Sequence, residues 1–402
     1  MGRTEQADGV VAPHAQDGAE AGRPRGQLGI WAVLCAWHVM WVLARSHGAG
    51  GSWHYFATGA DVLFGDDRGQ GLHLYATHPE LQIGPLSFVV ALPLDALGPP
   101  WGRTTAVFLM SCTGPLLLAA IWRLVPSPHR RPGRLLAAGL VFLPIWAELA
   151  THAGHLDDVL ALSLAIGALQ ARVRDRPLLA GLLVGAATDA KPWALAFAAM
   201  LLFRPARSAV AAFAVCLVVV AAGWLPFLLY DPHTMHAAHF TIANAAGSGL
   251  RVLGYHGART PSWDRPAQLA LGGLLGAAAV VRRRWEAVIL LATAARILLD
   301  PEVYGYYTAG VLLGTVVFDL LATRRRLPLV TIAAALTLYL SRQLSDVHAV
   351  PLTNPQLGLL RVAFVVTAVI AVFGAARAAA PEPRTRAAAW TPSRREEKTT
   401  SL

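Results

Sequence analysis

The chain has 402 residues, 55% of them hydrophobic and 14% charged. Its mean hydropathy of +0.47 excludes an ordinary soluble enzyme. Lys and Arg number 34 against 24 Asp and Glu, a net charge of +10; in so apolar a chain this excess marks cytoplasmic loops and not a nucleic-acid surface. Cys35, Cys112 and Cys216 all fall in apolar runs, at spacings that suit neither a disulfide framework nor a metal set.

Residues 1–27 are polar and mixed in charge and read as a disordered tail. Apolar runs follow at 28–44, 104–122, 135–150, 157–171, 177–190, 192–203, 208–230, 266–281, 285–299, 303–321, 328–341 and 357–375, and 377–402 forms a second, basic tail. The expectation is an all-α polytopic membrane protein of about twelve spans. Runs near Ala190 are too short to cross a bilayer upright and suit a helical hairpin. Ile83–Leu97, broken by Pro85 and Pro93 and carrying Asp95, suits an interfacial or re-entrant helix. With that stretch not crossing, most of the Arg and Lys fall on one side. The positive-inside rule makes that side the cytoplasm, with both termini on it.

The opposite face collects most of the 14 histidines, in a long first loop (45–103) and in the turns near 152, 191, 240, 300 and 345. Polar groups beside hydrocarbon are costly unless they line a wet cavity, so a site facing outward is expected there. In the first loop, Trp53 to Gly65 reads as an amphipathic interfacial helix bearing His54, Tyr55 and Asp61. It is either an aromatic anchor or the mount of a general-base carboxylate. His78, Glu80 and Gln82 precede the interfacial stretch, as a solvated loop or as substrate ligands.

His155-Leu156-Asp157-Asp158 opens a helix. Asp157 reads as an N-cap with Asp158 at the positive end of the dipole, or the two acids and His155 bind hydroxyls, act as a base or hold a divalent ion. In Asp189-Ala190-Lys191-Pro192-Trp193 the lysine needs an anionic partner, either Asp189 or a phosphate. His233, His236 and His239 would share one helical face, but no acid or Cys completes a metal set at the usual spacing, so a wet loop face is the expectation. Arg296, Asp300, Glu302, Tyr304, Tyr306 and Tyr307 form a further polar cluster at an outer turn, and Arg342, Asp346 and His348 another.

Tyr55 to Gly65, His78-Pro79-Glu80-Leu81 with Pro85-Leu86, Gly154-His155-Leu156-Asp157-Asp158, and Ala180-Gly181 through Lys191-Pro192 occur in an order and spacing that resembles the GT-C superfamily of polyprenyl-phosphate-sugar-dependent membrane glycosyltransferases. The likeness is nearest to the actinobacterial family 87 type, which includes mannosyltransferases. It covers roughly residues 30–230. It implies a GT-C-like body (28–376) with interfacial helices in the first extracytoplasmic loop. It also implies inverting transfer of a mannose-like hexose from a polyprenyl-phosphate donor to a lipid or glycan hydroxyl outside the cytoplasm.

Carried over, Asp61, Asp157 and Asp158 are the candidate catalytic acids, with His54, Tyr55, His78, Glu80, His155, Lys191, Arg296 and Tyr304 as substrate ligands. No cofactor is required, although a divalent cation could be held. Partners are the lipid-linked sugar, the acceptor and membrane lipids, and not nucleic acid. In the family an Asp usually stands where this chain has Gly51 or Ser52, so either Asp61 or Asp157 has taken the base role or the protein is an inactive member. A polytopic transporter or lipid flippase is the rival reading, with no internal repeat to support it.

Overall fold

The computed structural model describes residues 23–65 and 71–374. Both expected tails lie largely outside the described residues, and helix α1 (Arg23–Ala44) already begins within the stretch expected to be tail. Every regular element among the described residues is helical, apart from one antiparallel bridge between Ala243 and Arg259.

After α1 the first loop carries α2 (Trp53–Phe64), the short α3 (Leu74–Thr77) and α4 (Pro85–Asp95). The last is the eleven-residue helix expected of an interfacial segment. Helix α5 (Trp101–Leu124) and α6 (Pro132–Ala147) follow, and α6 passes directly into a π-helix, Glu148–Ala153. Next come α7 (Leu156–Val173), α8 (Pro177–Ala190), a ten-residue 3₁₀ helix (Pro192–Leu201) and the long α9 (Ala206–Tyr230). Two one-turn helices, α10 (His236–His239) and α11 (Gly249–Val252), fill the loop before α12 (Asp264–Val281). Then come α13 (Val288–Leu299), α14 (Thr308–Ala322), α15 (Leu329–Ala334), a second π-helix (Ala335–Leu340), α16 (Ser341–Asp346) and α17 (Asn354–Gly374).

Proline opens several of these elements (Pro85, Pro132, Pro177, Pro192), where its missing N–H costs nothing and its fixed φ suits the first turn. Six helices are long and apolar enough to cross a membrane: 27–44, Trp101–Leu124, Pro132–Ala153, Ala206–Tyr230, Gly305–Ala322 and Asn354–Gly374. The other six expected spans are helical, but shorter, interrupted or more polar. Pro177–Ala190 and Pro192–Leu201 are short, and α7 carries Asp157, Asp158 and Arg172.

Helix α14 is the hub, with every residue from Thr308 to Leu320 buried, whereas α9 turns Val210, Leu217, Val218 and Leu229 outward. An apolar outward face is what a helix in contact with lipid requires. Small residues let the inner helices meet backbone to backbone. A Cβ at Gly181 would lie 2.2 Å from the Ala212 carbonyl, and one at Gly314 would lie 2.5 Å from Leu290 Cα.

Candidate functional site

The site begins where α6 ends. Widening to a π-helix turns the carbonyls of Thr151, His152 and Ala153 away from the helical ladder, and they accept from the N–H groups of Gly50 (2.8 Å), Gly51 (3.2 Å) and Ser52 (2.9 Å). This main-chain splice fastens the first loop to the start of α7. It requires Gly154, whose φ is +66° and whose added Cβ would stand 2.5 Å from Gly50 Cα. Across the splice Ser52 Oγ lies 2.9 Å from His155 Nε2.

His155, and not Asp157, is the residue flanking the first turn of α7. Asp157 lies inside that turn, where its Oδ1 accepts from the Asp158 N–H at 2.8 Å. Both acids are buried near the positive end of the helix. The chain between α8 and the 3₁₀ helix is extended at Lys191 (φ −149°, ψ 115°). This directs Lys191 Nζ to Asp157 Oδ2, with which it forms an ion pair. The alternative partner, Asp189, is ruled out: it is buried with its Oδ1 unpaired, packed where a Cβ on Gly223 would touch its carboxyl.

Arg296, in the last turn of α13, reaches Asp158 Oδ1 at 2.9 Å and Asp300 Oδ2 at 3.8 Å. Its guanidinium lies between two rings, 4.5 Å from the centroids of both Trp193 and Tyr307, an arrangement that suits a planar delocalised cation. Trp193 Nε1 donates to the same Asp158 oxygen at 3.1 Å. His155 stacks on Tyr306 at 4.1 Å, and Tyr306 on Tyr304 at 5.4 Å. Burial pushes the Asp300 carboxyl up, although Arg296 opposes the shift.

Three segments distant in sequence thus bring His155, Asp157, Asp158, Lys191 and Arg296 together. One carboxylate oxygen of the group, Asp158 Oδ2, has no hydrogen-bond partner and lies 4.0 Å from His155 Nδ1, which also has none. His155, Asp157 and Asp158 each offer a ligand atom within 4.8 Å of the others. They could hold a divalent cation, but Lys191 and Arg296 already face the same two acids.

Tyr304 is half exposed beside this group and close to Tyr55, whose ring lies tilted against that of His54 with centroids 3.9 Å apart. His54 Nδ1 lies 3.0 Å from the Gly51 carbonyl. His78 and Glu80 face each other at 3.2 Å, both exposed. Asp61 is not in the group. It stands nine residues beyond Ser52, roughly 14 Å along a helix, exposed and next to Asp95, whose carboxyl is raised by burial and by Asp61.

Ser52, Trp193, Tyr306 and Tyr307 complete the site without having been assigned a role from sequence. No short-range pattern links them to α7. Of the three histidines on the 231–239 segment, all exposed, only His233 meets an acid: Asp231 Oδ1 lies 3.0 Å from His233 Nδ1, and its Oδ2 lies 2.6 Å from His73 Nδ1. These partners hold the Asp231 carboxyl down at about 2.

No family model, curated protein or solved structure matches this chain.

Proposed function

We propose that the protein is an integral membrane glycosyltransferase of the GT-C type, with about twelve spans in the plasma membrane and both termini cytoplasmic. It would move a mannose-like hexose, with inversion, from a polyprenyl phosphate to a lipid or glycan hydroxyl on the outer face. The observation that carries this reading is the convergence of two buried acids with Lys191 and Arg296 beneath the first loop.

In this mechanism Asp158 Oδ2, the carboxylate oxygen of the group with no partner, takes the acceptor proton, with His155 beside it to orient the hydroxyl. The acceptor oxygen attacks the anomeric carbon opposite the phosphate, the C–O bond to phosphate breaks, and the electron pair leaves on polyprenyl phosphate. Lys191 and Arg296 offset the charge gathering on that leaving group. Asp157 has both oxygens engaged and serves to place Lys191. The aromatic mouth formed by Tyr55, Tyr304 and Tyr306 suits a sugar ring.

The test is turnover of purified protein with polyprenyl-phosphate mannose, glucose and arabinose. Asp158→Asn and Lys191→Ala should each lose about 10²-fold or more, and Asp61→Asn should stay near wild type. Turnover undiminished in both site variants would defeat the assignment. A second reading, a catalytically silent relative, draws on Ser52 standing against His155 where the family has an acid. It predicts no turnover with any donor in wild type and a gain of turnover in Ser52→Asp.

A further inference from the structure

The 300–307 turn has two sides. One supplies Asp300, Tyr306 and Tyr307 to the Lys191–Arg296 group. The other forms a wall of a separate cavity of about 90 Å³, bordered by Val303, Ser341, Arg342, Ser345, Asn354 and Arg361, with Asp346 the one carboxylate on its lining. The π-helix Ala335–Leu340 runs into α16 and re-aims it, so that Arg342 faces the turn. Arg361 lies two turns along α17 from Asn354, on the same face.

Charge is unbalanced in this cavity. Arg361 is only 9% exposed, and its Nη1 donates to two carbonyls, Glu302 at 3.2 Å and Ile297 at 3.4 Å. Among the described residues no carboxylate lies within ion-pair distance of it. Arg342 donates to the Val303 carbonyl and has Asp346 at 3.5 Å, but that acid is 57% exposed and well screened. Asp300 acts on Arg361 from beyond ion-pair distance and is shared with Arg296, so a buried guanidinium whose direct partners are carbonyls keeps a charge only partly offset, which an anion would complete.

We infer that this cavity binds a phosphate-bearing anion at a place distinct from the Lys191–Arg296 group. Its volume is several times the roughly 10–15 Å³ needed to admit one water, which leaves room for a phosphoryl group. Ser341 and Ser345 already spend their protons on the Thr337 and Leu352 carbonyls. The donors left for an anion are the free guanidinium N–H groups of Arg342 and Arg361 and the Asn354 amide. These approach from α16 and α17, which suits a tetrahedral oxyanion. Leu338 and Leu357 also border the cavity, so the phosphate could be free or esterified to a lipid.

The test uses the full chain in detergent, with native mass spectrometry and thermal unfolding as readouts. Inorganic phosphate is one probe, phosphatidic acid in mixed micelles the other, and phosphatidylcholine micelles give the background. Wild type should take up one equivalent of at least one probe and melt higher with it; the probe that succeeds identifies the source. Arg342→Gln, at a partly exposed position, should weaken uptake about tenfold or more. Arg361→Lys should weaken it as well, whereas Lys191→Ala should bind as wild type does. Failure of both probes with wild type, or wild-type uptake by both arginine variants, or loss of uptake in Lys191→Ala alone, would overturn the inference.

Discussion

Gly154→Ala tests the main-chain splice on which the site rests. Two effects act on the new methyl. A φ of +66° costs an L-residue about 1–2 kcal/mol, partly offset by a stiffer unfolded chain. The methyl would also stand 2.5 Å from Gly50 Cα and 3.2 Å from its carbonyl carbon, backbone atoms that cannot swing aside. The first loop must retreat and lengthen the bonds from Gly50, Gly51 and Ser52, each worth about 0.5–1.5 kcal/mol. Gly48 supplies the control: its φ is +69°, with nothing within 4 Å of an added Cβ. Gly48→Ala therefore carries the left-handed cost alone, about 1 kcal/mol net, and Gly154→Ala a further ~1–3 kcal/mol. At roughly 2 °C per kcal/mol, thermal unfolding in detergent should separate the two variants by several degrees. If they melt together, the loop is not held in place by this contact.

Three other outcomes are expected. Asp158→Asn leaves Arg296 buried against a weaker partner and should cost about 3 kcal/mol. The Asp158→Asn/Arg296→Met double variant should recover part of that loss, and strict additivity in unfolding free energy would contradict the pairing. Tyr307→Phe keeps the ring over Arg296 and gives up only the hydroxyl's hydrogen bond with Tyr306, about 0.5–1.5 kcal/mol, whereas Tyr307→Leu should lose a further ~0.5–2 kcal/mol of stability; equal melting of the two would remove the ring–cation argument. Asp231, held down at about 2 by His73 and His233, binds its proton more weakly folded than unfolded. Its fastening of the first loop to the 231–239 segment is thus fully present above pH ~4 and lost as pH falls through about 2. Pepsin cleavage near residues 71–78 should rise across that window in wild type and be high throughout in Asp231→Asn. Identical cleavage profiles would refute the fastening.

Local chemistry made some elements legible. Proline spacing marks Pro85–Asp95 as too short and too broken to span, and His155-Leu156-Asp157-Asp158 announces a helix start whose acids have a reason to be buried. The partners of those acids were beyond reach. Lys191 is two residues from Asp189 and 34 from Asp157, and the choice is made by one extended residue that sends adjacent side chains to opposite surroundings. Arg296 and Asp158 are 138 apart, so only the tertiary fold, in which the 3₁₀ helix after Lys191 packs against both α7 and α13, joins them. Asp61 misled because an amphipathic pattern shows which face is polar but not how far along the helix the site lies.

Helix α7 and the 3₁₀ segment after Lys191 run side by side and are tied at both ends: Asp157 holds Lys191 at one, and at the other Arg172 grips the carbonyls of Met200 and Leu202. From Asp157 to Arg172, α-helical rise covers roughly 22 Å. The eleven steps from Lys191 to Leu202 cover the same roughly 22 Å at 3₁₀ rise, but only about 16 Å if coiled as an α-helix. The tighter winding makes fewer residues as long as their neighbour, a mechanical gauge that holds the lysine level with its carboxylate. Any change that lets this stretch relax into ordinary α-helix shortens the strut and pulls it off one anchor or the other.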